Sequence, residues 1–238
     1  MITYASITKT GNRAVNEDSV YAFEADHRYI FALADGLGGH GRGEIASKLV
    51  INQCVEVFRA DGTLEDCFLA AQNSLLEEQE RHNATGEMKT TLTLLTIEGN
   101  EAYWGHVGDS RLYYFSKGKL TGRTFDHSVP QMLVMAGEIR EKDIRHHYDR
   151  NRLLRVMGVE WDGQMFEMSK KTLIQPGDSF LLCSDGFWEW IVEKRILRLL
   201  KSSDNPELWL SLMESEILKN SKGKDMDNYS AIAVFISL

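Results

Sequence analysis

Asp35, Asp185 and Asp227 each stand beside an apolar, strand-like run, the first two at its end and the third just before its start. Glycine follows Asp35 and Asp185 directly. Strand edges that gather these carboxylates would make them repel one another and resist ionisation unless cations neutralise them. Hard divalent ions such as magnesium or manganese prefer oxygen donors, so the conjunction predicts a metal site. A single Asp-Gly pair would signal only a turn. Nearer the start, Arg13, Asn16, Glu17 and Asp18 place one guanidinium and two carboxylates in a short stretch. Alone it reads as a solvated turn. Beside a metal site, its planar guanidinium suits two phosphate oxygens, and its acids suit metal-bound water.

Elements that could position these groups are legible around them. Residues 29–34 form a buried strand delivering Asp35 into a loop with Gly36, Gly38, Gly39, Gly41 and Gly43. Apolar residues then recur at helical spacing over 44–58 and 63–81, and Thr63 with Asp66 resembles a capping box. From Thr91 the texture becomes β-branched and aromatic: TLTLLTI, EAYWGHV and RLYYF, punctuated by Gly99-Asn100 and Lys117-Gly118 turns. A charged, irregular stretch covers 125–152. Strand-like MFEM and TLI follow, then SFLLC leading to Asp185, helices over 188–200 and 207–218 with Pro206 at the start of the latter, and a final strand, YSAIAVFISL.

A chain of 238 residues without repeats or a Pro/Ser-rich linker is expected to be one domain, 1–238. The net charge of −8 would repel a phosphate backbone, which argues against sequence-independent nucleic-acid binding. No apolar run is long enough to span a bilayer and the first residues lack a signal peptide's apolar segment, so a cytoplasmic protein with no membrane partner is expected. Cys54, Cys67 and Cys183 have no CxxC spacing and read as buried hydrophobes.

The chain strongly resembles the type 2C family of metal-dependent serine/threonine protein phosphatases, in the compact form seen in bacteria. The resemblance spans nearly the whole sequence. It rests on RAVNEDS (13–19), ADGLGGHGRGE (34–44), KTTLTLL (89–95), HVGDSRLY (106–113), DHS (126–128), RNRLLRVMG (150–158), QPGDSFLLCSDGFWE (175–189) and DNYSAIAV (227–234). It implies an α+β fold: a four-layer αββα sandwich of two mainly antiparallel sheets flanked by helical pairs, with the metal site at one end. Carried over by position, it implies Asp35 as a carboxylate bridging two divalent cations, manganese or magnesium, with the Gly36 carbonyl on one and Asp185 and Asp227 on the other. Asp109 corresponds to a third, weaker metal site, and Glu189 to a partner carboxylate. Glu17 and Asp18 would orient metal-bound water, Arg13 would anchor the substrate phosphate, and Asn228 would brace Asp227.

The implied chemistry is direct attack of metal-activated water on phosphoserine or phosphothreonine in proteins, opposing a bacterial-type serine/threonine kinase, by a monomer. Leu37 stands where some members have a histidine proposed as the acid, leaving His40 or a metal-bound water as alternatives. His106, His127, His146 and His147 read as packing or surface groups. Residues 125–152 correspond to a variable flap whose mixed methionines, arginines and histidines could recruit phosphopeptides. Trp104, Trp188 and Trp190 read as packing. Two other readings remain: a metal-silent phosphoprotein-binding module, and a hydrolase of nucleotides or small phosphoesters.

Overall fold

The computed structural model describes residues 1–37 and 41–237, so His40, Gly38 and Gly39 lie outside the described residues. Among the described residues, eleven strands form two antiparallel sheets. In the first sheet, β1 (Ile2–Lys9), β11 (Tyr229–Ile236), β10 (Ser179–Cys183), β6 (Arg111–Ser116) and β7 (Lys119–Arg123) lie side by side in that order. In the second, the order is β2 (Asp18–Ala25), β3 (Arg28–Asp35), β4 (Leu92–Glu98), β5 (Glu101–Val107) and β8 (Glu167–Met168), with β9 (Thr172–Leu173) also on β5. The helices are α1 (Gly43–Arg59), α2 (Leu64–Arg81), α3 (Val129–Met135), α4 (Asp185–Trp188), α5 (Glu193–Leu200) and α6 (Pro206–Asn220). None is long and apolar enough to cross a membrane.

Strand alternation divides the core into three apolar layers. Ile30, Ala32 and Ala34 of β3 face α1 and α2, packing on Val50, Cys54, Phe68 and Leu75. Their neighbours Phe31 and Leu33 point the other way, meeting Leu112, Phe180, Leu182 and Ile232 between the sheets. On the far side Tyr113, Leu181 and Ala231 pack on Trp209 and Met213 of α6. This is the expected αββα sandwich.

Thr63 caps α2 through a hydrogen bond accepted from the Asp66 amide, and Asp66 accepts from the Thr63 amide, completing the capping box. Two details differ from the sequence expectation. The helix expected over 188–200 is broken: α4 is a single turn starting at Asp185, and the chain extends at Val192 before α5 begins. The stretch 125–152 is not irregular throughout, since Ser128 caps α3 and a 3-10 turn covers Glu141–His146. Trp188 is buried in the core and Trp104 and Trp190, both half-buried, pack against it, so all three are packing residues as expected; Trp190 also lines a cavity.

Candidate metal centre

One end of the sandwich brings the acidic residues together because of strand register. Asp18 at the start of β2 pairs directly with Asp35 at the end of β3. The adjoining backbone is closely packed: a Cβ on Gly36 would collide with the Gly43 and Glu17 carbonyls, which explains glycine after Asp35 by lack of space. Gly186 is constrained in the same way by the Asn228 carbonyl, so both Asp-Gly pairs are sites of close approach. Asp35 is held at both backbone ends, its amide donating to Thr91 Oγ1 at 3.0 Å and its carbonyl accepting from Thr91 N at 2.8 Å.

The first sheet supplies the remaining acids. Asp185 starts α4 after β10, and Asp227 precedes β11, which pairs with β10. Ser184, just before Asp185, donates to Asp18 Oδ2 at 2.8 Å and accepts from the Ser230 amide at 3.0 Å, tying the two sheets together under the site. Asn228 meets Asp227 through its backbone amide, which donates to Oδ1 at 2.8 Å, while its side chain is engaged elsewhere. Its Nδ2 donates to the Thr10 and Val15 carbonyls at 2.9 and 3.0 Å, and its Oδ1 accepts from the Glu17 amide at 2.8 Å, so it pins the whole Arg13–Glu17 loop to β11.

A cleft of about 720 Å³ opens over this end, lined by Arg13, Glu17, Asp35, Gly36, Asp109, Asp185 and Asp227, with Leu37 at its wall. Asp18 lies beneath it, buried. The predicted cation ligands, with Arg13 and Glu17, therefore converge here, while Glu189 lines a cavity alongside. Arg13 points across the cleft and grips Asp227 through two hydrogen bonds of 3.0 and 3.1 Å. Asn151 and Leu153, at the C-terminal end of the 125–152 stretch and just after it, also line the cleft. Neither residue type announces a role, and only their position in RNRLLRVMG associates them with the site.

Electrostatics match that geometry. Burial pushes Asp18 up to about 7, with Asp185 and Asp227 adding repulsion. Asp185 rises to about 6 by burial and the nearby Asp227. Burial and neighbouring aspartates raise Asp35 and Asp109 well above the usual carboxylate range. Oδ1 of Asp18 is buried without a hydrogen-bond partner. Crowded oxygen donors that resist ionisation, one with an orphaned oxygen, fit divalent cations, which would supply the missing positive charge.

Without cations, the folded chain holds protons that the unfolded chain releases between its carboxylate range near ~4 and the folded values of about 6 and 7. Folded values above unfolded ones make stability rise as pH falls through this window. His106 and His127, lowered to about 4 by burial, pull the other way once pH falls below about 6.5, so the comparison stops there. Thermal unfolding in chelator is expected to show a higher Tm at about pH 6.5 than at about pH 8, by roughly 2–4 °C per kcal/mol of linkage. A Tm that is flat or lower at the acidic end would mean that the acids are not crowded in solution.

His106, His127 and Glu167 form another cluster of metal-ligating types, within 4.8 Å of one another. Its nitrogens are engaged differently: His106 Nε2 meets the Phe125 carbonyl at 2.7 Å, and His127 Nδ1 accepts from the Gly108 amide at 3.2 Å. The rings stack at 4.5 Å, and burial lowers both pKa values to about 4. The Phe125 carbonyl only accepts and the Gly108 amide only donates, so each ring carries its proton on Nε2, that of His127 lying 3.3 Å from Glu167 Oε1; this is a packed pair, as expected of these histidines.

An αββα sandwich with oxygen donors converging at one end defines a divalent-cation protein of the two-sheet type. The chain belongs to the protein phosphatase 2C family, whose model matches residues 8–220. It is 31% identical over 240 residues to the serine/threonine protein phosphatase PstP of Mycobacterium tuberculosis, covering 98% of this chain but 44% of PstP. It thus spans less than half the length of that relative. It is 31% identical over 198 residues to the serine/threonine phosphatase stp of Listeria monocytogenes, covering 79% of this chain and 78% of that protein. The crystal structure of the PstP catalytic domain in complex with two manganese ions superposes with a TM-score of 0.84 at 29% identity, covering 100% of this chain and 99% of that one.

Proposed function

We propose that this chain, as one domain, is a divalent-cation-dependent phosphatase acting on phosphoserine and phosphothreonine in proteins. The observation that carries the proposal is the convergence of Asp35, Asp109, Asp185 and Asp227 in one cleft with the Arg13 guanidinium beside them. Asp35, the Gly36 carbonyl, Asp185 and Asp227 would hold two cations, manganese or magnesium, with Asp109 available to a weaker third. Such cations supply Lewis acidity that lowers the pKa of water and offsets phosphoryl charge. Glu17 and Asp18 would orient the attacking water by hydrogen bonding. Arg13 would hold two phosphoryl oxygens once its Asp227 partner binds a cation. The names of the relatives, serine/threonine phosphatases, support this substrate class, as does manganese in the PstP catalytic domain.

The lining of the cleft disfavours the small-phosphoester reading. Among its described residues none is aromatic, so it offers a nucleotide base no platform, and Trp190 in the cavity alongside already carries the Lys224 ammonium 4.8 Å from its ring centre. A metal-silent binding module would not need this complete set of acids. The expected partners are phosphoproteins, including a cognate serine/threonine kinase. Release of phosphate from a phosphothreonine peptide and from an autophosphorylated bacterial kinase should require manganese or magnesium and stop with chelator. Peptide turnover that persists in chelator would exclude the metal mechanism, and an untouched kinase would exclude that partner.

A further inference from the structure

A second cavity of about 400 Å³ adjoins the carboxylate cleft and shares Arg13, Asn151, Asp185 and Asp227 with it. His146, Arg150, Trp190 and Lys224 also line it. Its charged groups divide by what they are committed to. Arg150 pairs with Glu189 at 2.9 Å, and Arg13 reaches Asp225 at 3.8 Å as well as Asp227. Arg145 is occupied by Glu193 at 2.7 Å and by the Trp188 and Ile191 carbonyls. Lys224 and His146 have no ion pair among the described residues. The Lys224 ammonium lies 4.8 Å from the Trp190 ring centre, a cation–π contact that places it at the cavity.

The balance of charge is therefore asymmetric. On the metal-dependent reading above, on which this inference rests, cations take Asp185 and Asp227. That leaves Glu189 and Asp225 as the cavity's acids, each already beside an arginine. The uncommitted charge is positive, on a chain whose net charge is −8. An extended peptide advances about 3.3 Å per residue, so a side chain one to three positions from the phosphorylated residue would fall in an adjoining cavity.

We propose that this cavity is a substrate subsite for an anionic side chain, a carboxylate or a second phosphate ester, flanking the phosphorylated residue. Lys224 is its principal cation, Trp190 its apolar wall. The test uses phosphothreonine peptides carrying glutamate, glutamine, lysine or a non-hydrolysable phosphonate analogue of phosphoserine at each of three positions on either side, assayed with manganese. At one position, glutamate or the phosphonate should raise kcat/KM over glutamine about three- to fivefold, the range of an exposed ion pair, and lysine should lower it. The larger gain tells which anion is preferred. Lys224→Glu should reverse the glutamate-to-lysine order, a ratio within one variant that a general loss of activity leaves unaltered.

Equal rates for all four peptides at every position, or an order unchanged in Lys224→Glu, would overturn the subsite. Hydrolysis of p-nitrophenyl phosphate by the unaltered protein separates the two levels of inference. If it proceeds while the peptides are indistinguishable, only the subsite falls. If neither substrate is hydrolysed with manganese, the phosphatase reading falls and takes the subsite with it.

Discussion

Asp35→Asn is expected to lower phosphate release by about 10³-fold or more, the scale on which charge stabilisation at a metal-assisted centre operates. The substitution is nearly isosteric, and the backbone bonds of Asp35 to Thr91 do not involve its side chain. Its effect is thus confined to the side chain: the negative charge is lost, and an amide nitrogen, which does not bind a hard cation, replaces one oxygen donor. Asp18, Asp185, Asp109 and Asp227 all repel the Asp35 carboxylate, so removing its charge should relieve crowding in the metal-free protein. A paired result is expected: a higher Tm than the unaltered chain in chelator, and a smaller gain in Tm when manganese is added. Kinetics and thermal unfolding on the same samples check both. Near-normal turnover would remove Asp35 from the metal assignment. Lost turnover with a lower Tm in chelator would instead indicate a damaged fold.

The acids were legible because their signal is local: a carboxylate at the end or start of an apolar run, followed in two cases by glycine. What the sequence did not display is why they meet. The strands β1 and β2 have no strong apolar signature, since each is the edge strand of its sheet and both alternate weakly between half-buried and exposed positions. Yet β2 supplies the register that sets Asp18 against Asp35. The break between α4 and α5 was hidden for another reason. Apolar residues continue through Trp190, Ile191 and Val192, and the turn is fixed by tertiary bonds from Arg145 to the Trp188 and Ile191 carbonyls, beyond the reach of periodicity. Thr63 and Asp66 were readable because a capping box closes within four residues. Asn228, Ser184 and the arginines beneath the site act over long sequence separations, where residue type alone does not specify a partner.

Those arginines give the second large effect. Asp126→Ala should destabilise the fold by about 3–5 kcal/mol, the cost of leaving a buried charge without its partner. Both side chains of the pair are 1% exposed, and the Arg111 guanidinium reaches the two Asp126 oxygens at 2.8 and 2.7 Å. The same guanidinium lies 3.5 Å from the Trp188 ring centre, and Trp188 Nε1 donates to the Asp109 carbonyl at 3.0 Å. Removing Asp126 thus leaves Arg111 with Tyr113 and the more distant Glu193, at 3.1 and 3.4 Å, and loosens the ring that connects Asp109 to the turn carrying Asp185. Denaturant unfolding should show the loss as a lower midpoint. The double variant Arg111→Met with Asp126→Leu should recover much of it, because it removes the desolvated charge together with its partner, while Arg123, which also reaches Asp126 at 3.3 Å, keeps Glu141 and Gln131. A single-variant loss below about 1 kcal/mol would place the pair in the range of surface ion pairs and remove it as the support beneath the cleft.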